Sequence, residues 1–191
     1  MSKFLHALAL LLSIFFSPYL IPIFFIFIAI WHFEDRRPAW FIVPTLFLGI
    51  IPFIMALILR KAGKISDLHI SNLRQRRLFY QLTILPTLIC TVVIYFYQVP
   101  IIIIRMMVGC ILGLLVLAIT APYLKLSGHL AVLSGALLGL WYLYGNKIAF
   151  SFMLIPILAW ARLYRRRHTL VEIILAIILG MVCMGTALIF S

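Results

Sequence analysis

Acidic side chains are almost missing from this sequence: Glu34, Asp35, Asp67 and Glu172 are the four acids among 191 residues. Four scattered carboxylates cannot hold magnesium against a diphosphate, which excludes an aspartate-rich prenyltransferase. They leave Glu172 as the one acid placed to lie within a membrane, too few for a proton path across it, so a proton-coupled transporter fits poorly. Cysteine is scarce as well. Cys90, Cys110 and Cys183 sit in apolar stretches without Cys-x-x-Cys spacing, which leaves neither a disulfide framework nor a cysteine metal site. Charged residues of both signs make up only 10% of the chain, hydrophobic ones make up 66%, and the mean hydropathy is +1.23. That excludes a soluble domain, which needs far more polar surface. Internal repeats and polar tails are missing too.

What is present is apolar sequence in long runs. A crossing needs roughly 20 apolar residues, and that ruler predicts spans near 7–31, 40–60, 79–99, 101–120, 128–145, 148–163 and 169–190. The expected fold is therefore all-α: a single transmembrane bundle of about seven helices over 1–191. It divides into N-terminal helices 7–60, a polar loop 61–78, a helical hairpin 79–120 and the segment 121–191. The run from Met1 continues to Trp31, too long for a cleaved signal segment, and Pro18 and Pro22 predict a kink or strong tilt within it. Gln98-Val99-Pro100 is so short a connection that the flanking spans must form an antiparallel hairpin, and Tyr144-Gly145-Asn146-Lys147 closes the fifth span and turns into the sixth.

Parity then decides geometry. The loops 61–78, 121–127 and 164–168 are separated by even numbers of predicted spans, so all three emerge on one face. Of the 16 Lys and Arg, Arg36, Arg37, Lys147 and Arg105 fall on the other face; the remainder, from Lys3 and Arg60 to Arg167, fall on this one. The positive-inside rule makes the basic face cytoplasmic. The excess of cations reads as topology or as binding of anionic lipid groups, and no nucleic-acid partner is expected.

Three segments on that face can do chemistry. In Arg162-Leu-Tyr-Arg-Arg-Arg167-His168-Thr-Leu-Val-Glu172, His168 and Glu172 are four apart, so on a helix they share a face. A carboxylate on one ring nitrogen fixes the tautomer and makes the other a better nucleophile or base. Equally, Glu172 can favour the positive end of its helix while His168 lies at the interface. In Lys125-Leu126-Ser127-Gly128-His129, Ser127 is placed to N-cap the fifth helix and Gly128 admits close backbone approach. A helix start is a ready anion site, with His129 beside it as a proton donor; the plainer reading is a capped helix with an interfacial histidine. The loop from Lys64 to Arg77, with Asp67, His69, Asn72, Arg74 and Arg76, is the one long polar segment. Its arginine forks suit phosphate oxygens, in a pocket or on lipid headgroups.

Together, Ser127-Gly128-His129 and Arg162-x5-His168-x3-Glu172 resemble the second and third motifs of the type 2 phosphatidic acid phosphatase (PAP2) superfamily. Those motifs read Pro-Ser-Gly-His and Ser-Arg-x5-His-x3-Asp. The resemblance covers roughly the last seventy residues. It implies a PAP2-like helical core and a metal-independent, cofactor-free lipid phosphatase. His168 would be the nucleophile, forming a phosphohistidine, and Glu172 would orient it. His129 would protonate the leaving group, and Ser127, Gly128 and Arg162 would bind phosphoryl oxygens. Leu126 stands where the family has proline, Ala161 where it has serine, and Glu172 where it has aspartate. The family's Lys-x6-Arg-Pro has no literal counterpart; Arg76 or Arg77 is the match for its arginine and Lys64 for its lysine, with Arg74 a further candidate. The family's sites mostly face away from the cytoplasm, opposite to the charge count.

Two functions are therefore expected to compete. One is a phosphatase or phosphotransferase acting on phosphatidate, a phosphatidylglycerol phosphate, a polyprenyl (pyro)phosphate or a lipid A type headgroup, in a bacterial cytoplasmic membrane. The other is a non-catalytic protein that binds or moves anionic lipids. Gly109, Gly113, Gly135 and Gly139 allow close helix packing, within one chain or between copies in a homo-oligomer.

Overall fold

A computed structural model describes residues 3–35, 37–66 and 72–190. Arg36, Asp67, His69 and Ser191 lie outside the described residues. Every regular element among them is helical: α1 (Lys3–Phe15), α2 (Ile21–Trp31), α3 (Pro38–Lys61), α4 (Leu73–Phe96), α5 (Ile101–Thr120), α6 (Gly128–Tyr144), α7 (Leu154–Tyr164) and α8 (Leu170–Phe190). Five helical runs are long and apolar enough to cross a membrane: α3, α4, α5, the continuous run Gly128–Tyr164 and α8. The chain has the helices of a multi-pass membrane protein.

The predicted first span, 7–31, is not one helix. It breaks between α1 and α2 at residues 16–20, where Pro18 removes a backbone donor and Ser17 accepts from the Leu20 amide at 3.3 Å. Neither piece alone, of 13 and 11 residues, reaches across a hydrocarbon core about 30 Å thick at about 1.5 Å per residue. Lys3 is then not assigned to a face by counting spans. In α3, the winding widens to π-type between Thr45 and Ile50, flanked by Pro44 and Pro52, whose rings crowd the carbonyls one turn back.

The polar loop 61–78 is shorter than expected, because α4 begins at Leu73. Asn72 is its N-cap, accepting from the Arg74 amide at 3.0 Å. Arg74, Arg76 and Arg77 are thus helical. The α4–α5 hairpin forms as expected, with Gln98 in the left-handed region at φ 54°. The indole of Trp40 donates to the Tyr97 carbonyl at 2.9 Å, pinning the start of α3 to that turn.

The fifth and sixth predicted spans become one helical run that folds back. Gly145, at φ 60°, ends α6, and 3-10 winding over Gly145–Met153 leads into α7. Because Gly128 and Arg162 line the same cavity, the two ends of this run lie together. Lipid offers no hydrophobic force between helices, so small residues decide contact. Gly135 of α6 faces the Gly180 backbone of α8, Gly109 of α5 faces Met184, and Gly139 faces Phe25. These close approaches are within the chain.

Candidate active site

The three polar connections converge on one end of the bundle. From α4, the Arg76 guanidinium donates through Nη2 to the Leu126 carbonyl at 2.8 Å and to the Tyr80 hydroxyl at 3.2 Å. From the turn before α8, His168 bonds through Nδ1 to the Lys125 carbonyl at 2.9 Å. The segment 125–129 is therefore held on both sides, by Arg76 and by His168.

His168 does not sit on a helix. The turn after α7 places Arg166 at φ 51° and delivers His168 just ahead of α8, with Thr169 in the N-cap position. The Glu172 carboxylate then reaches back. Its Oε2 accepts from the Thr169 amide at 3.0 Å and lies 3.3 Å from His168 Nδ1, while the Glu172 amide approaches the Thr169 hydroxyl at 3.3 Å. This is a Thr-x-x-Glu capping box. The spacing anticipates the pair, but the contact runs across a helix terminus, not along a helix face, and capping and imidazole contact occur together.

Since a carbonyl only accepts, the His168 proton is on Nδ1 and Nε2 is the free nitrogen. Nε2 faces Arg162 Nη2 at 3.4 Å, a long hydrogen bond. Burial, then the positive charges of Arg162 and Arg76, hold the imidazole pKa down at about 3, against the opposing pull of the Lys125 carbonyl. The ring is neutral at physiological pH.

Arg162 and Arg76 are both buried, and neither has a carboxylate within ion-pair distance among the described residues. Nε and Nη1 of Arg162, together with the fully buried Ser127 hydroxyl, make no hydrogen bond within the described chain. A buried hydroxyl left unmatched costs about 1–3 kcal/mol, and a buried guanidinium without a counter-charge several more. Ser127 stands at the N-cap position of α6, yet its hydroxyl makes no cap bond. Arg76, Gly128, His129 and Arg162 line one cavity of about 550 Å³, which Ser13, Ser17 and the α1–α2 break also line.

Of the remaining sequence candidates, Arg77, Arg74 and Lys64 are exposed and line no part of this cavity. A step of one residue turns about 100° around a helix, which takes Arg77 off the face that Arg76 presents. Tyr80, missed in the sequence, both holds Arg76 and lies over Gly128, where an added Cβ would stand 3.0 Å from its hydroxyl. Its one signal was the spacing of four from Arg76. The carbonyls of Lys125 and Leu126 were missed too, having no side-chain signature.

Fold and site thus define a helical, multi-pass type of membrane protein with a basic, histidine-bearing cavity at one end of its bundle. No family model, curated protein or solved structure matches the chain.

Proposed function

We propose that this protein is a PAP2-like membrane phosphatase that removes phosphate from a lipid phosphate monoester or pyrophosphate through a phosphohistidine at His168. The observation that carries this is the pair of buried, carboxylate-free arginines beside a neutral imidazole whose free nitrogen points at one of them. Cations with unmatched N–H groups call for an anion, and a lone pair next to that anion calls for transfer chemistry.

In this mechanism Arg162, Arg76, the Ser127 hydroxyl and the Gly128 amide at the start of α6 hold the phosphoryl oxygens. The Nε2 lone pair of His168 attacks phosphorus as the P–O bond to the lipid breaks. His129 gives its proton to the departing oxygen, so the lipid leaves as an alcohol, or as a monophosphate from a pyrophosphate. The Nδ1 proton stays shared with the Lys125 carbonyl and Glu172, which stabilise the charge the ring gains. Water then attacks phosphorus, giving its proton to His129, and the P–N bond breaks to release phosphate and restore neutral His168. Every step uses side chains and water, so phosphate release is expected to survive EDTA.

Phosphate release from a panel of lipid phosphates by the purified protein, with His168→Ala alongside, tests the reading. Release by the wild type and a loss of at least 10³-fold in the variant are expected. A second reading, a non-catalytic binder of anionic lipids, draws on the exposure of Lys64 and Arg77, which leaves Arg76 alone to stand for the family's first motif. No release from any lipid, with binding that survives His168→Ala but not the loss of Arg162, would establish that reading instead.

A further inference from the structure

A second cavity runs from the candidate active site into the bundle. It shares Pro18, Tyr19, Phe79, Tyr80 and Gly128 with the first, so the two meet beside Arg76. Along α6 it extends from Gly128 to Ala136, and along α4 from Phe79 to Thr87. Eight residue-to-residue steps in each case give a depth of about 12 Å. Its walls are apolar even where the sequence is not. The hydroxyls of Thr83 and Thr87 are turned back to the Phe79 and Thr83 carbonyls at 2.8 and 2.9 Å.

Its volume is about 120 Å³. An enclosed apolar cavity of about 150 Å³ stays dry and accepts a single hydrocarbon molecule; by its lining and size this one suits hydrocarbon better than water and one chain better than two. Gly113 of α5, on its wall, differs from the glycines that mediate helix contacts. A Cβ there would meet nothing within 4 Å, so no close approach requires glycine. A helical glycine costs about 1 kcal/mol relative to alanine, and what its missing side chain leaves here is open space in the slot.

We infer that this slot holds one hydrocarbon chain of the lipid phosphate, drawn into the bundle between α4, α5, α6 and α8 with the phosphate at Arg76 and Arg162. The inference rests on the lipid phosphatase reading and adds to it that the enzyme selects by chain. A lipid whose chain enters the slot is held with its phosphate at the arginines; one too short to fill it gains nothing from the slot. Phe25 and Met184, both buried, line the slot at the far end of its α2 and α8 walls and limit how deep the chain can go.

The test compares phosphate release from palmitoyl and butyryl phosphatidates by the wild type, Gly113→Ala and Gly113→Leu. Leucine fills the slot without touching the arginines or histidines. The expected result is at least a tenfold fall in kcat/KM for the palmitoyl substrate in Gly113→Leu, less than a twofold change for the butyryl one, and near wild-type behaviour in Gly113→Ala. An equal effect on both substrates, or none on either, would overturn the slot. Photo-cross-linking of wild type by a palmitoyl phosphatidate with a diazirine at the chain end decides it separately, even if Gly113→Leu fails to fold or no phosphate is released. Adducts within 109–117 and 131–136 support the slot. Adducts confined to outward residues such as Leu85 and Ile119, both exposed, reject it. Cross-links in the slot without any phosphate release would retain chain binding while removing the phosphatase.

Discussion

The His168 imidazole is held through Nδ1 by two oxygens of different kinds, the Lys125 carbonyl at 2.9 Å and the Glu172 carboxylate at 3.3 Å. Two consequences separate them. Glutamine serves a capping box as well as glutamate does, so Glu172→Gln should leave the thermal midpoint within about 2 °C. It removes the charge that favours a positive ring, and because the carbonyl still fixes the tautomer, kcat should fall only about 10–100-fold. Glu172→Ala should lose both midpoint and rate, and a Gln variant as unstable as the Ala variant would mean that the carboxylate only caps. The second consequence concerns pH. The folded pKa of His168 is lowered from the ordinary 6.5 to about 3, so the unfolded chain takes up the proton first. The stability this ring contributes is present above pH 6.5 and is lost as pH falls towards 3, at about 1.4 kcal/mol per unit. The midpoint in detergent should therefore drop between pH 7 and 4.5, and drop less steeply in His168→Gln; parallel slopes would contradict the assignment. At this scale the sequence made legible which side chains at fixed spacing come together, as with Arg162, His168 and Glu172. It did not show where a contact is made by a carbonyl, as at Lys125, or which way a helix faces, as with Arg76 against Arg77.

Among the elements, α6 and α8 set the spacing of the two histidine segments, and they touch through backbone. A Cβ on Gly180 would collide with the Ala131 carbonyl and the Ser134 hydroxyl, itself bonded to the Ile177 carbonyl at 3.1 Å. Gly180→Ala should force the helices apart and cost about 1–3 kcal/mol, seen as a lower midpoint. Activity should fall with it, because Ser127–His129 and His168 lie at the starts of the two helices. Full activity with an unchanged midpoint would show that the contact is not needed. Helix ends were readable where polar or turn residues mark them, as at Gln98 and Gly145. The α1–α2 break was harder to foresee. In an all-apolar run no face is polar, so periodicity says little about direction, and a proline pair reads equally as a kink or a break. Asn72 began α4 well before its apolar residues did.

For the whole molecule, the hydrogen bonds from Arg76 and His168 to 125–126 put the three basic connections at one end, as parity required, and α8 runs from that end to the other. The positive-inside rule expects the basic end in the cytoplasm, so a reporter fused after Phe190 should read as non-cytoplasmic; the opposite reading would turn the site outward and leave its chemistry intact. The predicted span 7–31 divides into two short helices, while 128–164 folds back after Gly145 as two passes, and the convergence that builds the site depended only on the later helices. The central claim, that His168 takes the phosphoryl group, is tested most directly by trapping. The protein is mixed with a lipid phosphate labelled at its phosphate, quenched in alkali, where phosphohistidine persists, and digested. Label is expected on His168 in the wild type and none in His168→Gln. Phosphate release without label on His168, or release undiminished in His168→Gln, would contradict it.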